Sequence, residues 1–410
     1  MKRFRNFPAL QLDLGPGISL FHGANGNGKS NLLEAFYLLA VAKSPRAQAD
    51  RELVGFGKAY EDPSQGPEQD RGRAGEQVHT VVSATVDRSG DAVTVQIDLL
   101  GPPNHVNPGG DPVPEPTGHE NIADDWTGVS FQKTLRVNGA PRTASELVGE
   151  VNAVLFSASD LELVYGSPSG RRRYLDILIS QHDRSYLRAL QRYGRSVIQR
   201  NHLLRAIRDG RSSMSEMAPW DQRVSQDGGY IVAARLRSME LLKKQSTSIY
   251  KDLSKGAEKL HIDYETSFSI PASDGADDPI GALATALAET ANSDAAAGHT
   301  SVGPHRDDLL VLIDGAEAAR YASRGQARST VLSLKLAEAE YLSEQRGETP
   351  VILLDDVLSE LDPMRRELVL DRVAGYDQCL ITTAELDAVG PSRRADMHIF
   401  EVGVGTVTPH

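Results

Sequence analysis

The chain has 410 residues, 40% of them hydrophobic and 24% charged, with a formal net charge of −12 and one cysteine. That length exceeds an ordinary single domain and predicts two lobes, while one cysteine, Cys379, excludes an internal disulfide and any cysteine-built zinc site. No stretch approaches the roughly 20 apolar residues that cross a bilayer, and the start, MKRFRNFPALQLDL, has no signal-peptide core, so a cytoplasmic protein without membrane contact is expected.

In chain order, ALQLDL (9 to 14) alternates apolar and polar and predicts a strand. GISLFHGANGNGKSNLLEAFYLLA (17 to 40) predicts strand, glycine-rich turn and helix, with Leu32, Leu33, Phe36 and Leu39 at helical spacing. Residues 59 to 77 are rich in Gly, Pro, Glu and Gln and describe a solvated loop. Residues 78 to 100 predict two antiparallel strands around Ser89-Gly90-Asp91. Six prolines and no core-forming run mark 101 to 124 as a surface insertion, and VSFQKTLRV (129 to 137) leads a strand into the turn Asn138-Gly139.

From Thr143 to Arg208 the text reads as mainly helical, and another helix is expected over 226 to 258. Between residues 165 and 211, eleven arginines stand against three aspartates, an excess of eight positive charges in a chain whose total is negative. A net negative charge alone argues against nucleic acid, but phosphate binding depends on clustered Lys and Arg. A charge run is commonly a solvated helix face; here Arg171, Arg172 and Arg173 open the segment and are expected to help hold DNA. HIDYETSFSI returns to strand alternation, PIGALATALAET predicts a helix, and LLVLIDGAEAARYAS reads as strand, turn, strand. A long amphipathic helix follows over 327 to 345, then the apolar strand of VILLDD, then short strands in CLITTAE and MHIFEVGVGTV. No heptad pattern persists beyond a few turns, so no long coiled coil is expected.

Three segments carry chemistry. Gly23, Gly28, Lys29 and Ser30 fit G-x-x-x-x-G-K-[ST], and Gly23, Ala24, Asn25, Gly26, Asn27, Gly28, Lys29, Ser30 and Asn31 form the expected nucleotide loop. Glycines there let successive N–H groups face phosphate oxygens with a helix N-terminus behind them. Lys29 bridges phosphates in such a loop and Ser30 ligates Mg²⁺. VILLDD fits a buried strand delivering Asp355 and Asp356 to the carboxyl end of a sheet, where ligands gather. Asp355 is expected to hold Mg²⁺ with Ser30, and Asp356 to orient the attacking water. The two halves lie more than 300 residues apart, so a second lobe is inserted between them. Ser323, Gly325 and Gln326 open the helix before VILLDD. S-x-G-Q, helix, then an apolar strand with an acidic end is the order of ABC-type ATPases, in which this serine reaches the γ-phosphate bound by a second protomer.

FRNFPALQLDLGPGISLFHGANGNGKSNLLEAFYLLA, VLFSASDLELVYGSPSGRRRYLD, SVGPHRDDL, YASRGQARSTVLSLKLAEAEYL and VILLDDVLSELD together resemble the RecF family of bacterial recombination mediators, over nearly the whole chain apart from 59 to 77 and 101 to 125. The resemblance implies an α/β fold: a P-loop ABC-type ATPase head, SMC-like but without a coiled coil, with an antiparallel β subdomain and an inserted helical lobe. The expected head is 1–142 plus 260–410, and the arginine-rich lobe 143–259. It further implies a weak, DNA-stimulated ATPase that uses ATP and Mg²⁺, forms a homodimer on ATP, binds duplex DNA at gap junctions, and works with RecO and RecR to load recombinase. The catalytic acid of the family falls on Asp356, its D-loop on residues 359 to 362. Aspartate in place of the usual glutamate fits slow hydrolysis. Many ABC proteins carry a histidine where Thr382 or Thr383 stands here, and residues 157 to 160 occupy the place of a customary glutamine. His305 in HRDD is expected in a structural hydrogen-bond network, with Arg306 a candidate nucleotide sensor across the dimer. The alternatives are the ATPase subunit of a membrane transporter, disfavoured by the arginine-rich lobe and by S-R-G-Q, and a non-hydrolysing chromosome-organising head, disfavoured by the lack of flanking heptads.

Overall fold

A computed structural model describes residues 1–55, 78–88, 90–101, 132–271 and 278–410. The expected insertion at 59 to 77 lies outside the described residues, as do Ser89 and all of 101 to 125 except Gly101. By internal contacts the chain forms two units, one of Met1–Ala153, Leu353–Glu360 and Asp377–His410, the other of Val154–Ile352 and Leu361–Tyr376.

The first unit holds an antiparallel sheet in the order Phe7–Ala9, Lys2–Phe4, Val78–Arg88, Asp91–Gly101, Gln132–Val137, Ala140–Arg142. Its β-branched alternation buries Val82, Val95, Ile97 and Leu99. Asn138 and Gly139 both take positive φ, 50° and 78°, as a two-residue hairpin turn requires. The strand expected over 9 to 14 is not there: the strand Phe7–Ala9 ends at its start. Leu10 N–H turns back to Met1 O at 2.9 Å, and Pro16 has no N–H to give a ladder.

A second sheet in this unit carries Val407–Pro409, Met397–Val402, Gly17–His22, Gln378–Thr383 and, from Leu353 on, the strand Val351–Asp355 as successive neighbours. Leu20 pairs in parallel with both Ile381 and Ile399, so Gly17–His22 is central, and its Ser19, Leu20 and Phe21 are buried. Helix Lys29–Val41 packs on strands of both sheets and sinks Leu32, Leu33 and Leu38 completely.

The second unit is mainly helical: Pro168–Ser180, Arg184–Arg208, Ala218–Leu253, Pro279–Ala297, Arg324–Arg346 and Pro363–Val373, with a small antiparallel sheet of Leu260–Glu265, Asp308–Ile313 and Ala316–Glu317. Its axis is the 36-residue helix Ala218–Leu253. Side chains at Gly228 and Gly229 would strike Leu283 and Ile280, so these glycines let Pro279–Ala297 come close. Arg324–Arg346 and the strand Leu260–Glu265 also lie against Ala218–Leu253. Contacts therefore group residues 260 to 352 with the helices, a division that differs from the sequence expectation of breaks at 142/143 and 259/260. The stretch read as helical after Thr143 splits into helix Ala144–Leu147 and strand Ala153–Phe156. Gly149 at φ 86° stops the helix, and four consecutive buried apolar residues then form the strand.

Candidate nucleotide-binding site

Gly17–His22 ends at the glycine loop, and Lys29–Val41 begins straight after it. Gly23, Gly26 and Gly28 have φ of 154°, 89° and 101°. A Cβ at Gly23 would strike the carbonyl of Val402, and one at Gly28 the side chain of Asn6, so both positions are closed to other residues. Helix Lys29–Val41 starts from Gly28 in a left-handed conformation with no side-chain cap. Its first-turn N–H groups are thus left for an anion, at the positive end of the helix. Lys29 Nζ donates to Gly23 O at 2.7 Å and to Ala24 O at 3.1 Å, inside the curl of the loop. Burial lowers the pKa of its ammonium, against the pull of Asp356 and Asp355.

The loop is braced from outside by residues whose part the sequence does not reveal. Asn6 Nδ2 donates to Asn27 O at 2.8 Å and Asn6 Oδ1 accepts from Asn31 Nδ2 at 2.8 Å. Asn27 Nδ2 donates to Val402 O at 2.8 Å. The side chains of Asn27 and Asn31, expected among the nucleotide contacts, serve here as braces, and the Asn27 N–H donates to Ala24 O at 3.3 Å within the loop. Below them Arg5 grips the buried carboxylate of Glu34 with two bonds, at 3.0 and 2.7 Å.

The distant acidic strand arrives at the same place. Ser30 Oγ donates to Asp355 Oδ1 at 2.8 Å, and Thr382 Oγ1 lies 3.0 Å from that oxygen. Asp356 follows with φ 53°, its N–H bonded to Thr382 Oγ1 at 3.0 Å and its Oδ1 accepting from Ser359 Oγ at 2.8 Å. A hydroxyl and a carboxylate converging beside the glycine loop are hard oxygen donors of the kind that suit Mg²⁺. Among the described residues no group of three or more His, Cys, Asp or Glu side chains could hold a metal ion by itself.

In the second unit Ser323 caps helix Arg324–Arg346. Its Oγ accepts from Gln326 N at 3.2 Å while Gln326 Oε1 accepts from Ser323 N at 2.7 Å. Gln326 Nε2 donates to Glu258 Oε1 at 2.9 Å, and Tyr165 OH donates to Ala322 O at 2.9 Å. Ser323 stays exposed, and a Cβ at Gly325 would meet Ser323 Oγ at 3.9 Å, an ordinary contact. Gln326, expected as a partner contact, has both ends of its side-chain amide engaged within its own chain.

The arginine expectation changes. Arg171 is buried and forks onto Asp308, with Nε and Nη2 both at 2.7 Å from its oxygens. It is a structural tie, unavailable to DNA. Arg172 donates to Asp307 O at 2.8 Å, and Arg173 is exposed. Further along, Arg200 is fully buried between Asp294 and Asp221, at 2.8 Å from each, and Arg192 pairs with Asp227 at 2.6 Å. The positive excess counted along the sequence is therefore partly neutralised by acids from other segments. Arg188 and Arg195 remain exposed on helix Arg184–Arg208. His305 sits in the hydrogen-bond network expected for it: its Nδ1 is 2.6 Å from Tyr193 OH and its Nε2 is 3.2 Å from Thr300 O. Arg306 bonds the same carbonyl, at 3.1 Å through Nε and 3.0 Å through Nη2.

Strand, glycine loop and helix, with an acidic strand end beside them, define the class: a P-loop ATPase head of the ABC type. A family model described as an AAA domain matches residues 1–99. The DNA replication and repair protein RecF of Chloroflexus aurantiacus is 37% identical over 413 residues, covering 99% of this chain and 97% of its own. That of Heliobacterium modesticaldum is 34% identical over 410 residues, covering 100% and 97%. The solved structure of the recombination mediator protein RecF-ATP in the RecFOR pathway superimposes with a TM-score of 0.79 at 29% identity, covering 100% of this chain and 95% of that one. An Smc head domain from Pyrococcus furiosus, at TM-score 0.50 and 15% identity over 100% and 94%, shares the fold. The chain belongs to the RecF family of DNA replication and repair proteins. The transporter alternative gives way to that membership. No helix among the described residues is long and apolar enough to cross a membrane.

Proposed function

We propose that this chain is an ATP-dependent, DNA-binding recombination mediator of the RecFOR pathway. ATP binding closes two copies on each other, slow hydrolysis reopens them, and RecO and RecR act with the complex at gaps in duplex DNA. The observation that carries this is the meeting of Ser30 with Asp355 beside the uncapped N-terminus of helix Lys29–Val41, in a chain akin to a structure described as RecF-ATP. Backbone amides of residues 23 to 31 cradle the phosphates, and Lys29 exchanges the carbonyls of Gly23 and Ala24 for phosphate oxygens. Ser30 and Asp355 would hold Mg²⁺, which when bound neutralises charge developing on the phosphates. Asp356 orients the attacking water, its carboxylate steadied by Ser359. Ser323 and Gly325 face the triphosphate of the second copy, and Gln326 holds Ser323 in place.

Grouped by the chemistry they serve, residues 1–142 with 260–410 form the ATPase head and 143–259 the DNA-facing lobe. DNA contact falls to Arg172, Arg173 and the exposed Arg188 and Arg195. The location is cytoplasmic. ATP turnover by the full chain, with and without gapped duplex, tests the reading. Turnover is expected to rise with DNA and to vanish in Lys29→Ala and Asp356→Asn. Undiminished turnover in Lys29→Ala contradicts it.

A further inference from the structure

Thr382 is the penultimate residue of the strand Gln378–Thr383 and is fully buried. Its hydroxyl has one proton and two neighbours that could take it, Asp355 Oδ1 at 3.0 Å and Leu354 O at 3.4 Å. The shorter and charge-assisted bond is to Asp355. Thr382 Oγ1 in turn accepts from Asp356 N–H at 3.0 Å. One hydroxyl thus ties the side chain of one aspartate to the backbone of the next.

Both ends of that tie need holding. Asp355 Oδ1 also takes the Ser30 hydroxyl at 2.8 Å, a bond that is given up once the serine oxygen turns to a metal ion. Thr382 is then the protein donor left to set the carboxylate's rotation. Asp356 has φ 53°, a left-handed conformation that a non-glycine residue keeps only where its surroundings enforce it. The Thr382 oxygen fixes the peptide N–H that enters this turn.

We propose that Thr382 is a positioning residue for ATP hydrolysis: it holds Asp355 at the angle at which it serves the metal and locks Asp356 into the left-handed turn that aims its carboxylate. The idea rests on the ATPase reading above. It gives the position a task other than the γ-phosphate contact considered from the sequence, since a fully buried side chain has no exposed atom to offer.

The test uses the full chain, Mn²⁺ as a paramagnetic probe, and a non-hydrolysable ATP analogue. Thr382→Val keeps the shape and removes the hydroxyl; Thr382→Ser keeps the hydroxyl. Thr382→Val is expected to weaken Mn²⁺ binding by roughly 10- to 100-fold and turnover by a similar factor. Its affinity for nucleotide in EDTA stays within about twofold, because the loop amides and Lys29 are untouched. Thr382→Ser is expected to restore both quantities to near the wild-type level. Wild-type Mn²⁺ affinity in Thr382→Val, or equal impairment in Thr382→Ser, overturns the proposal. If Thr382→Val fails to bind nucleotide in EDTA and so has not folded, Thr382→Ala is compared with Thr382→Ser instead. Wild-type Mn²⁺ affinity in Thr382→Ala, or equal impairment of the two, then overturns the proposal in the same way. Wild-type nucleotide affinity in Lys29→Ala would instead overturn the ATP-site reading, and this proposal with it.

Discussion

Ser30 Oγ stands 2.8 Å from Asp355 Oδ1, although 325 positions separate the two in the chain. A serine one residue into a helix and an aspartate at the tip of a strand meet because Gln378–Thr383 pairs with Gly17–His22 on one side and neighbours Val351–Asp355 on the other. If the pair serves one ion, its members act as a unit. Ser30→Ala and Asp355→Asn should each weaken Mg²⁺-dependent ATP affinity by about 10- to 100-fold, with a double variant far short of the product. Titration calorimetry with Mg²⁺ and with EDTA measures this; independent, fully multiplying losses would count against a shared ion.

The glycine loop makes a steric prediction. Gly28 has φ 101° and a Cβ there would run into Asn6. Gly28→Ala should cost about 1–3 kcal/mol in denaturant unfolding and lose measurable ATP binding. Asn6→Ala, which opens that space, should recover part of the stability in the double variant. No recovery would mean that backbone strain, not the side chain, sets the cost.

His305 predicts an acid-sensitive contribution to stability. Burial, opposed by its bond to Thr300, brings its pKa from 6.5 to about 4, with Arg306 and Arg172 adding repulsion to the charged form. The unfolded chain therefore binds this proton more readily than the folded one between those values, so stability falls as pH drops from 6.5 toward 4, by at most about 3 kcal/mol. Asp307 is held above the ordinary carboxylate range, chiefly by burial, and works in the opposite direction. The comparison is accordingly between wild type and His305→Gln, whose curve should be flatter over that window. Parallel curves would contradict the account.

The arginines divide by surroundings. Replacing Arg188 and Arg195 by alanine should lower duplex-DNA affinity and reduce the salt slope by about two, one for each phosphate contact. Arg171→Ala should lower stability instead, by roughly 3 kcal/mol or more, because it strips Asp308 of its fork. Fluorescence anisotropy across a salt series and chemical unfolding separate the two effects.

The glycine loop is legible in the sequence because its geometry is local: eight residues fix the turn, the uncapped helix start and the lysine together. Asp355 is legible because an apolar run that ends in acid has few uses beside such a loop. Arg171 misleads because its partner Asp308 lies 137 positions away, and charge counted along a chain ignores acids folded in from elsewhere. Asn6 and Thr382 give no signal at all, since a lone asparagine in a hairpin turn and a threonine in an apolar strand are commonplace until the fold sets them against the loop and Asp355. The unit boundaries are equally hidden, because the pairing of Gly228 and Gly229 with Leu283 and Ile280 is a matter of packing, not of composition.

The central claim is that the glycine loop of one copy and Ser323 of another hold one triphosphate between them. Sedimentation velocity of the full chain, with and without Mg²⁺-ATP, tests it most directly when run beside Ser323→Arg. The account predicts a dimer for the wild type only when ATP is present, and a monomer for Ser323→Arg throughout. A dimer in every sample, or in none, would contradict it.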